Sequence, residues 1–298
     1  MDQKLAVMQV ILAAVVPVLI TILIGYALAK AKQPFDGKTI GFLVGTIGTP
    51  VLVFTSLAKT TVEPVILGTI MLATLCAIAS YLVISATVLT LSGLPLRTYL
   101  PSLSFPNTGN LGLPLAFYAF GQDGLNYAVA IFAVNSVCNH TLGQSIAAGR
   151  GQWRTVLQSF IVPAALLGIV FGTVRIPLPI WLDNTLTLMT GLTIPLMLLM
   201  LGTSLAKIPV TSFPRATGLS ILRIGMGTGV GFLISALFGF TGAERGAFVL
   251  QSAMPVAIYS YMYAQLYNNA PEDIASLVVV STVLSVVTIP PLLAFLAA

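Results

Sequence analysis

The chain has 298 residues, a net charge of +5, 57% hydrophobic residues and only 7% charged ones. Soluble domains carry about 25% charged residues, so this composition, with a mean hydropathy of +1.01, excludes an ordinary soluble protein and indicates a polytopic membrane protein. The basic residues stand singly in short loops, with no basic run or aromatic platform, so no nucleic-acid partner is expected.

In chain order, apolar runs between polar breaks predict ten spans, an all-α fold. They lie near 5–29, 37–58, 64–92, 98–121, 125–148, 153–174, 181–205, 214–239, 243–267 and 273–297. The first run is long enough to span and is followed by many others, so it reads as a membrane helix and not as a cleaved signal. Gly41, Gly45, Gly48 and Pro50 dilute the second. Cys76 and Cys138 fall in the third and fifth spans, where two buried thiols act as small hydrophobes. A disulfide framework, a CxxC motif and a zinc pattern are absent, and His140 is the sole histidine, so no metal or cofactor is expected.

The fourth predicted span, which contains PSLSFPNTGNLGLPLAFYAFG at 101–121, breaks helix rules near its middle. Pro106, Asn107, Gly109, Asn110, Gly112 and Pro114 crowd together there. Proline removes a backbone donor and clashes with the carbonyl one turn back. In lipid the freed groups survive only where protein or a water-lined cavity satisfies them. The ninth span carries its own central Pro255, within the segment 246–267. Interrupted helices at matching places in two halves point to a transporter's midplane site.

The halves do match. Pro17 pairs with Pro163, Pro50 with Pro195, and Ser56-Leu57-Ala58-Lys59 with Ser204-Leu205-Ala206-Lys207. Pro106 pairs with Pro255, Tyr118 with Tyr267, Asp123 with Glu272 and Ser136 with Ser285, all 149 residues apart. Two repeats follow, 1–150 and 151–298, with five spans each and hence opposite topology. Odd-numbered loops hold eight basic residues, against four in the amino terminus and even-numbered loops. This bias places odd loops in the cytoplasm and both termini outside the cell membrane.

Each break exposes a half-helix amino terminus, whose unpaired N–H groups and partial positive charge suit an anion. Asn107, beside Pro106, is the leading ligand contact, with a structural cap as the alternative; Asn110 fits either role. Gln251, one turn before Pro255, either supports the second break or packs between helices. Asn135, Asn139 and His140 form a polar stripe in the fifth span, read as helix–helix hydrogen bonding or as part of the site. His140 is a titrating group or a structural one. Arg223 is the one charge well inside a span, and either snorkels to the cytoplasmic surface or attracts an anion. Asp123, Glu244, Glu272 and Asp273 lie at predicted helix ends and Glu63 between spans, so the embedded carboxylate of many ion-coupled carriers is missing. No nucleophile–base pair, metal cluster or phosphate loop suggests an enzyme.

SLSFPNTGNLGLPL at 102–115 resembles the fourth-helix crossover motif of the auxin efflux carrier family, Ser-Leu-Pro-Asn-Thr followed by Gly-Ile-Pro-Leu. QSAMPVAIYSYMYAQLYNNAPEDIAS at 251–276 is similar to its ninth-helix segment, and Leu222-Arg223 also fits. The resemblance covers essentially the whole chain. It implies ten transmembrane helices in two inverted five-helix repeats, crossed at proline-broken fourth and ninth helices, as in sodium/bile-acid symporters. It also implies a homodimer built partly from the second and seventh helices, and elevator-type alternating access for a small organic anion. By position, Pro106 and Pro255 mark the crossing and Asn107 matches the substrate-contacting asparagine. Asn135 falls where plant members carry a glutamine. Thr49 and Val53 flank Pro50 at second-helix contact positions, and Ile258 and Tyr259 follow the ninth-helix break.

The chain departs from the plant pattern at three places. Val53 stands where plant carriers have serine, the third span lacks their acid and lysine, and the loop after the fifth span is only a few residues long. The implied substrate is a malate- or malonate-like dicarboxylate or an auxin-like aromatic monocarboxylate. A sodium-coupled anion symporter and a membrane sensor that binds without transporting are the rival readings.

Overall fold

The computed structural model describes residues 2–151, 160–207 and 213–297. An apolar chain in lipid must pair its backbone groups within each segment, and the described elements are accordingly helical. They run α1 (Asp2–Lys30), α2 (Gly37–Leu43), α3 (Thr49–Ala58), α4 (Pro64–Leu91), α5 (Leu96–Ser104), α6 (Leu113–Cys138) and α7 (Gln144–Ala148). The second half contains α8 (Ile161–Val174), α9 (Ile180–Lys207), α10 (Phe213–Leu237), α11 (Gly242–Ser252), α12 (Ile258–Leu266) and α13 (Pro271–Ala297). Three single π-helical turns interrupt this order: Val44–Gly48 joins α2 to α3, Thr108–Gly112 leads into α6, and Asn139–Gly143 joins α6 to α7.

Six described segments are long and apolar enough to cross a membrane: Leu12–Lys30, Thr39–Ala58, Pro64–Leu91, Ile180–Lys207, Phe213–Leu237 and Pro271–Leu296. The rest of the apolar chain is in shorter pieces, for identifiable reasons. The fourth predicted span is cut after Ser104 and the ninth after Ser252. α6 joins the end of the fourth predicted span to the start of the fifth. The chain bends within it at Gly121, whose φ of 66° and ψ of −156° only glycine adopts without strain. The start of the sixth predicted span and Arg154 lie outside the described residues.

Outward faces carry Leu23, Leu72, Val83, Leu188, Leu237 and Val287, all exposed, where a soluble protein would carry charge. Cys76 is exposed on the outer face of α4 with Leu72, Leu75 and Val83, and Cys138 is half-buried. The expectation of two buried thiols therefore fails for Cys76, because helical spacing puts it on the outward stripe. Inside, one core joins residues of α1, α3, α4, α6, α8, α9, α10, α11 and α13, and a second joins α4, α5, α10, α12 and α13.

Polar clips hold several helix ends. Asp273 at the start of α13 accepts a hydrogen bond from Tyr99 Oη at 2.6 Å and pairs with Arg215 at 3.0 Å, tying α5, α10 and α13 together. Lys59 pairs with Asp183 and donates to Thr187 Oγ1 at 3.2 Å, joining the end of α3 to the start of α9. Such exposed pairs contribute at most about 1 kcal/mol each. Backbone approach matters more where α1 crosses α9. A Cβ at Gly202 would collide with the Ile22 carbonyl, and one at Gly25 with the Leu199 carbonyl. Gly202→Val should therefore destabilise the protein by about 1–3 kcal/mol, read as a lowered thermal unfolding midpoint in detergent; an unchanged midpoint would show that the two backbones separate freely.

Candidate functional site

Two helices stop inside the protein and resume after short extended links. α5 ends at Ser104 and the helical path restarts at Thr108; α11 ends at Ser252 and α12 begins at Ile258. The links cross. Asn107 N–H donates to the Pro255 carbonyl at 2.8 Å, and Pro106 and Val256 form a single antiparallel bridge. Val256 N–H finds Ser281 Oγ at 3.2 Å. Proline at each break has no N–H to leave unpaired, which makes it the cheapest residue for this position.

The carbonyl ends of the two stopped helices share one donor. Arg223 of α10 is fully buried, and its guanidinium donates to the Leu103 carbonyl at 3.2 Å and to the Ser252 carbonyl at 2.7 Å. It also lies over the Tyr81 ring, 4.7 Å from the centroid. A helix carboxyl end carries about −0.5 charge, so two such ends offset most of the guanidinium charge. Arg223 thus does not snorkel to the surface, and it is not on the cavity wall described next. Its partners are backbone carbonyls, which explains why it can be buried without an acid.

Beside the crossing lies a cavity of about 50 Å³. All three π turns reach it: Val44 and Gly45 from the first, Thr108 to Asn110 from the second, Asn139 and His140 from the third. Single π turns inside helices frequently mark functional sites, because they re-aim side chains and backbone groups. Met197 and Met200 of α9, Phe132 and Ser136 of α6, and Tyr259 of α12 complete much of the wall.

The asparagines on this wall differ in what they already bind. Asn135 Nδ2 donates to Thr108 Oγ1 at 2.9 Å and to the Pro106 carbonyl at 3.3 Å, so that group secures the first break. Asn107 caps nothing, and its Nδ2 is buried without a hydrogen-bond partner. Asn139 Oδ1 is likewise unpartnered. Leaving a buried donor unmade costs about 1–3 kcal/mol, a penalty that a ligand's acceptor would remove. His140 Nδ1 is 2.8 Å from Tyr263 Oη, and its ring stands edge-on to Tyr259 with centroids 4.9 Å apart.

The cavity adjoins a larger vestibule on one side. A vestibule of about 750 Å³ shares Gly41, Asn110, Met200 and Tyr259 with it and opens past Asp36 and Lys207. A second vestibule of about 510 Å³, lined in part by Thr55, Ser56, Lys59 and Gln122, shares no wall residue with the cavity. On α3 the fully buried Leu52 and Val53 lie between Thr49, at the cavity, and Thr55, at that second vestibule.

Of the site candidates singled out from sequence, the cavity brings together Thr49, Pro106, Asn107, Asn110, Asn135, Asn139, His140 and Tyr259. Ile258 lines the vestibule instead. Val53 is packed in the closed side, and Pro255 contributes its carbonyl to the crossing. Gln251 is fully buried beside a separate void of about 10 Å³ that also touches Tyr81 and Asn135, with neither amide atom partnered. That volume is about enough for one water. Sequence reasoning missed Met197, Met200 and Ser136. The methionines come from a helix distant in sequence and look like ordinary span residues, and Ser136 stood out only as a repeat marker.

Comparison with known proteins decides the family. A family described as membrane transport protein matches residues 10–293. The chain belongs to this family. It is the family, that of the auxin efflux carriers, whose crossover motifs the sequence resembles. This membrane transport protein is 28% identical to an uncharacterized transporter of Methanothermobacter thermautotrophicus over 295 residues, 93% of this chain and 95% of that one. It is also 28% identical to an uncharacterized transporter of Methanocaldococcus jannaschii over 194 residues, covering 61% of this chain and 63% of that protein's length.

Removing the guanidinium should undo the crossing of this transport protein. Arg223→Leu leaves two buried carbonyls without donors, and hydrogen bonds to a charged group contribute about 1.5–3 kcal/mol each. Thermal unfolding in detergent should show a loss of roughly 3 kcal/mol or more, with Arg223→Lys recovering only part, since an ammonium lacks the planar fork. Full stability of Arg223→Leu would mean that the carbonyl ends find other donors.

Proposed function

We propose that the protein is a secondary transporter that carries a small organic anion across the membrane by alternating access. The observation that carries this reading is the buried side-chain amide of Asn107, whose Nδ2 lacks a hydrogen-bond partner in a residue that lines a cavity beside the crossed helix breaks. The anion's carboxylate accepts from Asn107 and sits near the amino-terminal turn that starts at Thr108. Tyr259 and the methionines bound the rest of the ligand. A cavity of about 50 Å³ favours a compact substrate such as a malate- or malonate-like dicarboxylate, and the nearby tyrosines keep an auxin-like aromatic monocarboxylate in the same panel.

The same reading assigns two inverted repeats, 1–150 and 151–298, and a moving crossover bundle against a scaffold. Support comes from symmetry in the contacts. Leu103 and Ser252, the two carbonyl partners of Arg223, are 149 residues apart, as are Pro106 and Pro255. The repeated Ser-Leu-Ala-Lys segments supply Ser56 and Lys59 to one vestibule and Ser204 and Lys207 to the other. With the basic loops in the cytoplasm, the vestibule past Lys207 faces inward.

Sodium coupling is the rival. Asn107, Thr108 and Asn110 offer oxygens, but the described cavity wall has no carboxylate to balance a bound cation. Reconstitution in liposomes with radiolabelled malate, malonate and indole-3-acetate tests the reading, with and without sodium or proton gradients. Saturable uptake of at least one anion is expected, and Asn107→Ala should cut it roughly tenfold or more, the scale of one hydrogen bond to a charged group. Uptake that requires sodium would favour the rival. Binding with no flux under any gradient would make the protein a sensor.

A further inference from the structure

The cavity offers an anion hydrogen-bond donors but no permanent counter-charge. Among its described wall residues, His140 is the one that changes charge near neutral pH. Its surroundings can be taken element by element. From α12 it meets Tyr259 and Tyr263, both neutral phenols in this pH range. On its own helical path the nearest ionisable group is Cys138. α5 packs against the same turn and carries Arg97 and Tyr99, but Arg97 donates to the Ala148 carbonyl at 2.9 Å and Tyr99 to Asp273 at 2.6 Å. α6 and α7 bring no charged side chain to the cavity, and across it stand Gly41, Ile161, Met197 and Met200. Asp36 and Lys207 wall the outer vestibule rather than the cavity.

We propose that His140 binds a proton together with the anion, so that the two occupy the site and cross as one load. This rests on the organic-anion reading above. A carboxylate beside the half-buried imidazole favours its charged form. The ring therefore takes up one proton from vestibule water as the anion enters and returns it as the anion leaves. No other bond is made or broken. The Tyr263 hydroxyl accommodates both states. It donates to a bare Nδ1 when the proton is on Nε2, and turns to accept once Nδ1 is protonated, within the same 2.8 Å contact. A monoanion loaded this way adds no net charge to the site, which lowers the cost of moving it through a low-dielectric protein.

The linkage is reciprocal: if protonation tightens anion binding, anion binding must draw in a proton. The test uses the purified full chain in weakly buffered detergent solution near pH 7.5, where malate, malonate and indole-3-acetate are fully ionised. Each anion is added in turn while a pH indicator counts protons and calorimetry gives Kd. The expected result is uptake approaching one proton per anion bound, with Kd weakening toward tenfold per pH unit above neutrality. His140→Asn and His140→Gln, verified as folded by gel filtration, should take up no proton and show a flat Kd over the same range. Saturable binding to the wild-type protein without proton uptake overturns the proton site alone, as does a pH slope that persists in folded His140→Asn. Failure of all three anions to bind at any pH removes the organic-anion reading and the proton site with it.

Discussion

Everything near the site depends on how two helices can end inside a membrane protein. Each stopped helix leaves carbonyls that lipid cannot satisfy, and α5 and α11 aim theirs at one guanidinium. An isolated buried cation would be costly. Here about half a negative charge at each helix end, together with the face of Tyr81, provides most of the compensation. The approach is close: a Cβ at Gly227 would meet the Ser252 carbonyl. With the carbonyl ends held by Arg223, the links beyond them are free to cross, and Asn107 N–H can pair with the Pro255 carbonyl rather than with its own helix.

That pairing decides which polar groups remain for a ligand. The Asn107 backbone is satisfied by the crossing, so its side chain is not needed as a cap. Asn135 performs the structural task from a neighbouring helix, bonding both Thr108 and the Pro106 carbonyl. Two asparagines that look equivalent in sequence are thereby divided, one Nδ2 engaged in the fold and one left unpartnered at the cavity. The π turns work in the same direction. Each shifts the helical register by one residue, and all three bring residues to the same 50 Å³ space.

The interruption was legible in sequence because proline, asparagine and glycine inside an apolar run have few other physical readings. Eight site candidates on the cavity wall could be named in advance, from such polar interruptions of apolar spans or from the family motif. Arg223 shows where such legibility stops. Its partners lie 120 and 29 residues away and are backbone carbonyls, which leave no trace in residue identity. A charge in a span then reads as a surface-seeking or ligand-seeking group. Val53 shows a different limit: motif position put it at a contact, whereas in this structure it is fully buried and does not line the cavity. Met197 and Met200 reach the site through the packing of α9 across α2 and α3, and a period of 3.6 does not say which neighbour a helix face will meet.

The repeated Ser-Leu-Ala-Lys segments carry this one step further. As sequence they are identical, yet Lys59 pairs with Asp183 at a vestibule cut off from the cavity, whereas Lys207 lines the vestibule that reaches it. Under the proposed inverted repeat, two equal segments fall in unequal surroundings when the halves adopt different conformations. For a carrier of the proposed kind, that inequality is itself the mechanism: exchanging the conformations of the halves would open the Lys59 side and close the Lys207 side without new interactions having to be invented. The crossing at Pro106 and Val256, bridged between the two halves and clamped through carbonyls 149 residues apart, can persist through such an exchange. Under the proposed exchange, the part of the fold that breaks helix rules is thus the part that both states would share.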